Sequence, residues 1–255
     1  MVKTAIAQGL ETFEKINSEG RTYRPNRFES LNKNLVKVPQ EQQGCTHLRL
    51  AIICSVFVHV MKSTYKRTDL KTPISRLEID HLAALANAHL GPAFLHVPRD
   101  TIRKIHNIHR LMPNMHPGYW RAVCSGSIAL ARVIRFLTSV GAQVYLPMPE
   151  EDVYGKIDLI AKFPEHSSWI CFQIKGIKRS DVIEHEVLSL RDRGGMPRDR
   201  RFFLNGVRTF RSNHKGNFIP VELLVGGQAF PQYSTFAHDN AQEAFIQLRD
   251  STMHL

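Results

Sequence analysis

Paired cysteines are missing from this chain. Cys45, Cys54, Cys124 and Cys171 form no CxxC motif, and three of them lie in apolar segments, where a free thiol packs as a small hydrophobe; the pattern fits a reduced, cytoplasmic protein. Long hydrophobic runs are also missing. The longest, LRLAIICSVFVHVM from Leu48 to Met61, contains Arg49 and His59 and falls short of the ~20 residues a membrane span needs, so no membrane partner is expected and the run reads as a buried helix. The opening MVKTAIAQGLETFEK has no signal-peptide apolar core, and export is not expected. There is no Walker phosphate loop, no GxGxxG and no GxSxG elbow, which argues against nucleotide-driven motors, dehydrogenases and serine hydrolases. Acids are the scarcer charge: 23 Asp plus Glu face 34 Lys plus Arg, a net of +11. That balance suits a protein that meets a polyanion.

What is present divides into two parts. With 255 residues the chain can bury a sizeable core. Residues 1–115 read as a helical region. Ile6, Leu10, Phe13 and Ile16 recur at helix spacing, a polar connector covers about 20–44, and a helix over 75–90 opens on a Ser75/Glu78 capping box and closes at Gly91-Pro92. A basic helix with Arg103, Lys104 and Arg110 follows Asp100. His106, His109 and His116 cluster there, but no nearby cysteine or carboxylate completes a zinc site. Residues 116–255 read as α/β: a helix over 127–140 stopped by Gly141, strands in AQVYLP, GKIDLIAK and WICFQIKG, and a helix through VIEHEVLSL opened by Ser180 and Asp181. A strand-like FFL at 202–204, a strand at 218–225 and a helix near 239–249 complete it. The layout predicts a mixed sheet flanked by helices.

Two of these strands carry polar groups where a core wants hydrocarbon. Asp158 interrupts the run IDLIA, and Gln173 and Lys175 occupy alternate positions of WICFQIKG, so both point to the same face. Buried polar atoms without partners cost roughly 1–3 kcal/mol each, which points to a ligand, a metal or water between them.

A helix, then Asp158, then Gln173 and Lys175 on the third strand, resembles the core of the PD-(D/E)xK nuclease superfamily in its QxK variant, as in restriction enzymes of the Mrr type. The resemblance spans about 125–224 and rests on order and setting. It implies a restriction-endonuclease-like core and a Mg²⁺-dependent DNA endonuclease, with Mn²⁺ an alternative metal. Asp158 would be the main metal ligand, Gln173 would offer its amide oxygen, and Lys175 would orient the water and steady the developing charge. Many such nucleases place a glutamate on the first helix, whereas 127–140 contains no acid; Glu150, Glu151 and Asp152 precede Asp158, and Glu151 is the residue assigned to the metal in its place. Glu184 and His185 would lie on the helix after the lysine.

Positive charge gathers close by. Between Arg191 and Lys215 eight basic residues face two acids, net +6, in a stretch that reads as a loop around Gly194-Gly195 and Pro197. Arg191, Arg193, Arg198, Arg200 and Arg201, with Arg179 just after the lysine strand, are the candidate nucleic-acid contacts. DNA is the expected partner. Because nucleases that cut both strands often act as dimers, a homodimer is the assembly this implies. The competing reading is a protein that keeps the fold and binds nucleic acid without cutting it.

Overall fold

A computed structural model describes residues 117–147, 151–152, 155–177, 183–191, 196–226 and 239–253, with Leu90, Gly91, Phe94 and Asn107. The expectations for 1–89, for the helix around 101–110 (Asn107 apart), for the histidine cluster, and for Glu150, Arg179 and Arg193 lie outside these residues. The chain divides into two compact units, Met1–Ser127 and Ile128–Leu255. In the first, Leu90 and Phe94 are buried and helical. Gly91, expected to close a helix, is itself helical.

The first long helix, α1 (Pro117–Ser139), begins on a proline, whose fixed φ and missing N–H suit a helix start. Gly141, at φ 80°, ends it in the left-handed conformation, with the Ala142 N–H donating to the Leu137 carbonyl at 2.9 Å. Its segment Trp120–Ser139 is long and apolar enough to cross a membrane, but half of it is buried within the protein, as a core helix would be.

The second unit is built on one five-stranded mixed sheet. Its strands are β1 (Gln143–Tyr145), β2 (Leu159–Lys162), β3 (Trp169–Ile177), β4 (Ile183–Val187) and β5 (Phe218–Gly226), in the order β1-β2-β3-β5-β4. The meander β1-β2-β3 is antiparallel, β5 lies parallel to β3, and β4 is antiparallel to β5. Helix α2 (Arg198–Asn213) falls within the crossover from β3 to β5, and α3 (Asp239–Met253) follows β5. The mixed sheet with flanking helices is the α/β layout expected from the sequence. Pro220 cannot donate a ladder bond; β4 pairing stops at Val221, one residue short of it, and the Pro220 carbonyl accepts from Leu188 N–H.

Strand alternation sorts two cores. One face carries Leu159, Ala161, Ile170, Phe172, Ile219, Val221, Leu223 and Val225 against α1 and α3, where Phe136 and Phe245 stack at 4.5 Å. The other carries Ile160, Cys171 and Phe218 against α2, which buries Phe203, Leu204, Val207 and Phe210 at helix spacing.

Three expectations are corrected here. Within VIEHEVLSL, Ile183–Val187 form the edge strand β4, half-buried at Ile183, His185 and Val187 and exposed at Glu184 and Glu186, a period of two rather than of 3.6. The FFL segment lies in α2, with Phe202 exposed while Phe203 and Leu204 are buried. The arginine-rich stretch expected as a loop is helical from Arg198 onward.

Candidate active site

The strand registers assemble a row of polar side chains. Leu159 pairs with Phe172, so one further step places Asp158 opposite Gln173; the Asp158 N–H donates to the Phe172 carbonyl at 2.8 Å. Gln173 pairs with Glu222, and Glu222 with Glu186. Directly paired residues share a face. Asp158, Gln173, Glu222 and Glu186 therefore cross four strands in one line on the α2 face, with Lys175 one step further along β3.

Asp158 is held from behind. Its Oδ2 accepts from the Ile174 backbone N–H at 2.7 Å, which leaves its other oxygen for a ligand. Burial, reinforced by the Asp152 carboxylate, pushes the Asp158 carboxyl up to about 7, against opposing pulls from the Ile174 hydrogen bond, Lys156 and Lys175. Burial also pushes Asp152 up to about 6, with Lys156 pulling it back. The acid that acts on Asp158 is thus Asp152. Glu151, assigned to the metal from the sequence, instead pairs with His214 Nε2 at 3.2 Å, and that ring stacks on Phe210.

Local geometry explains where the two aspartates sit. Glu151, Asp152 and Gly155 are helical, and the turn closes with bonds from Lys156 N–H to the Asp152 carbonyl (2.9 Å) and from Ile157 N–H to the Glu151 carbonyl (3.4 Å). The Lys156 bond is that of an αL closure, and its left-handed position, usually glycine, is Lys156 at φ 52°. The turn rests on α2 through Gly155 and Gly206; a Cβ on Gly206 would lie 2.1 Å from the Gly155 Cα.

Gln173 is 7% exposed, and its Oε1 is buried without a hydrogen-bond partner. Lys175 donates to Glu222 Oε2 at 2.8 Å. Arg200 reaches both Glu222 oxygens, Nη2 to Oε1 at 3.0 Å and Nε to Oε2 at 3.3 Å, and also grips both oxygens of Glu186. Burial opposes ionisation of Glu222, but the Arg200 and Lys175 hydrogen bonds together hold its carboxyl below the usual range. Burial pushes the Cys124 and Cys171 thiols up to about 12, which makes them poor nucleophiles.

Of the expected site, the structure puts Asp158, Gln173 and Lys175 on one face and gives Glu151 another partner. Among the arginines, Arg191, Arg198 and Arg201 are exposed, whereas Arg200 is tied to two glutamates. Glu184 is an exposed strand residue, and His185, on the opposite face, pairs with Leu223. Among the described residues no group of three or more His, Cys, Asp or Glu is arranged to hold a metal ion. Glu222 was missed, although an acid inside FIPVELLV is the same anomaly that marked Asp158.

The raised carboxyls predict a pH signature. Folded Asp158 and Asp152 bind protons that the unfolded chain, with aspartates near ~3.9, has already released. Their contribution is therefore full at low pH and is lost as pH rises through the folded values; Glu222 acts oppositely, its contribution being lost on acidification. Without divalent metal, thermal unfolding should show stability falling between about pH 5 and 8 by on the order of 3 kcal/mol. Asp158→Asn, which keeps an acceptor for Ile174, should flatten that fall. An equally steep fall in the variant contradicts the assignment.

The chain matches no protein-family model, no curated protein and no solved structure.

Proposed function

We propose that this protein is a Mg²⁺-dependent nuclease of the PD-(D/E)xK kind in its QxK form, acting as a DNA endonuclease in the cytoplasm. One observation supports the reading above the others. Asp158, at the entry to β2, and Gln173 and Lys175, on β3, share a face of an antiparallel β1-β2-β3 meander, and β5 runs parallel to β3 beyond a crossover containing α2.

The residues present fit a hard divalent cation. The second oxygen of Asp158, the Asp152 carboxylate and the orphaned Gln173 Oε1 are all oxygen donors, the type Mg²⁺ or Mn²⁺ prefers. Two mutually repelling, half-buried carboxylates also favour a cation nearby. Bound there, the metal would neutralise phosphate charge and acidify a water. Lys175, one step along the same face and about a third exposed, offers its ammonium to a phosphate oxygen and orients the attacking water. The single-acid QxK strand makes this a weaker metal site than one with a second acid at position 173.

Phosphate contacts fall to the exposed Arg191, Arg198 and Arg201, with Arg211 and Lys215 at the far end of α2. The double variant Arg198→Gln/Arg201→Gln should weaken DNA binding and reduce the slope of log K against log salt by about 2. An unchanged slope in fluorescence anisotropy would remove these arginines from the interface.

A second reading, binding without hydrolysis, is favoured by the engagement of the Lys175 ammonium by Glu222 and by the absence of a three-acid cluster among the described residues. Plasmid nicking in Mg²⁺, Mn²⁺ and EDTA separates the two. Cleavage that EDTA abolishes supports the nuclease; DNA binding with no nicking in either metal supports the second reading.

A further inference from the structure

Lys175 belongs to an ion network with Glu222, Arg200 and Glu186. Glu222 is 4% exposed and central in the sheet, paired on one side with Gln173 and on the other with Glu186. Removing a carboxylate from water is costly unless each oxygen is satisfied. Both are: Oε2 takes Lys175 Nζ and Arg200 Nε, and Oε1 takes Arg200 Nη2. Arg200 lies in the first turn of α2, where the helix dipole disfavours a cation. Its guanidinium stays there because it bridges two glutamates from neighbouring strands, a planar fork geometry that a lysine cannot reproduce.

We infer that Glu222 and Arg200 are positioning residues for Lys175. Buried Glu222 fixes the lysine ammonium on the Asp158–Gln173 face, and Arg200, anchored by Glu186, fixes Glu222. The inference rests on reading the site as hydrolytic and removes Arg200 from the nucleic-acid contacts. A long, flexible side chain such as Lys175 otherwise samples many rotamers; held by its tip, it presents one geometry to a scissile phosphate. Hydrolysis should then depend on residues that touch neither phosphate nor water.

The test uses the full chain and two variants, Glu222→Gln, which is isosteric, and Arg200→Met, which keeps both members of the Lys175–Glu222 pair but removes the guanidinium that fixes Glu222. Two readouts are taken on each: the NMR order parameter of the Lys175 ammonium, which requires no catalysis, and kcat and KM for DNA cleavage. The expected result is an ordered ammonium in the parent, loss of order in both variants, and kcat lowered by about 10- to 100-fold with KM unchanged. Should one variant fail to fold, the other still answers. An ammonium equally ordered in Glu222→Gln, or in Arg200→Met, overturns the inference, as does loss of order with kcat unchanged. If the parent cuts nothing in Mg²⁺ or Mn²⁺ while order is lost in both variants, the hold on Lys175 is supported and the nuclease reading fails by itself.

Discussion

Asp158→Ala should lower DNA cleavage by about 10³-fold or more while leaving DNA binding near the parent level. The asymmetry follows from position. Asp158 contributes the carboxylate at the end of the polar row, beside Gln173 and electrostatically coupled to Asp152 and Lys175, and lies apart in sequence from the exposed arginines of α2. The truncation also removes the acceptor of the Ile174 N–H, so Asp158→Asn is the companion variant. Asparagine preserves that bond and shape but not the charge. Gel-based nicking and anisotropy on the same preparations check both properties. Cleavage within a few-fold of the parent in both variants contradicts the assigned role; binding lost in parallel with cleavage makes Asp158 a structural or docking residue.

The second large effect concerns stability. Gly206→Ala should destabilise the protein by about 2–3 kcal/mol, lowering Tm by about 5–10 °C. Two effects of opposite sign compete at this position. Alanine is better than glycine inside a helix by about 1 kcal/mol. A Cβ at 206, however, would lie 2.1 Å from the Gly155 Cα and 2.3 Å from its carbonyl oxygen, both backbone atoms that no rotamer change can move. Overpacking therefore wins, and relief requires Gly155 to shift, and with it the closing turn that carries Asp152. Gly126→Ala in α1 is the control, because nothing lies within 4 Å of its added Cβ; it should raise stability by up to ~1 kcal/mol. Calorimetry on both variants decides the matter. A stable Gly206→Ala protein would mean that the turn is not pressed against α2.

Much of the sheet was legible in the sequence because two signals agreed. In WICFQIKGI the alternation of faces and the β-branched and aromatic residues pointed to a strand, and Asp158, Gln173 and Lys175 stood out as polar intrusions whose shared face follows from a period of two. VIEHEVLSL was ambiguous for a physical reason: in so short a segment Ile183 and Val187 satisfy both i+4 and i+2 spacing, and pairing with β5 decides for the strand. In α2 the charge density of RDRRFF hid Phe203, Leu204, Val207 and Phe210, which lie at helical spacing. The network around Glu222 could not be read at all, because joining Lys175 of β3, Glu186 of β4, Arg200 of α2 and Glu222 of β5 requires knowing that β5 inserts between β3 and β4. Proximity in the chain offered Glu150, Glu151 and Asp152 as acids for the site, with Glu151 assigned; only the folded structure shows that Glu151 pairs with His214 and that the Asp152 charge acts on Asp158.

Crystals soaked in Mn²⁺ and measured at its absorption edge test the central claim most directly. The expected result is an anomalous peak bounded by the second oxygen of Asp158 and Oε1 of Gln173, lost in Asp158→Ala. A map without density there, or with the ion bound away from β2 and β3, contradicts it.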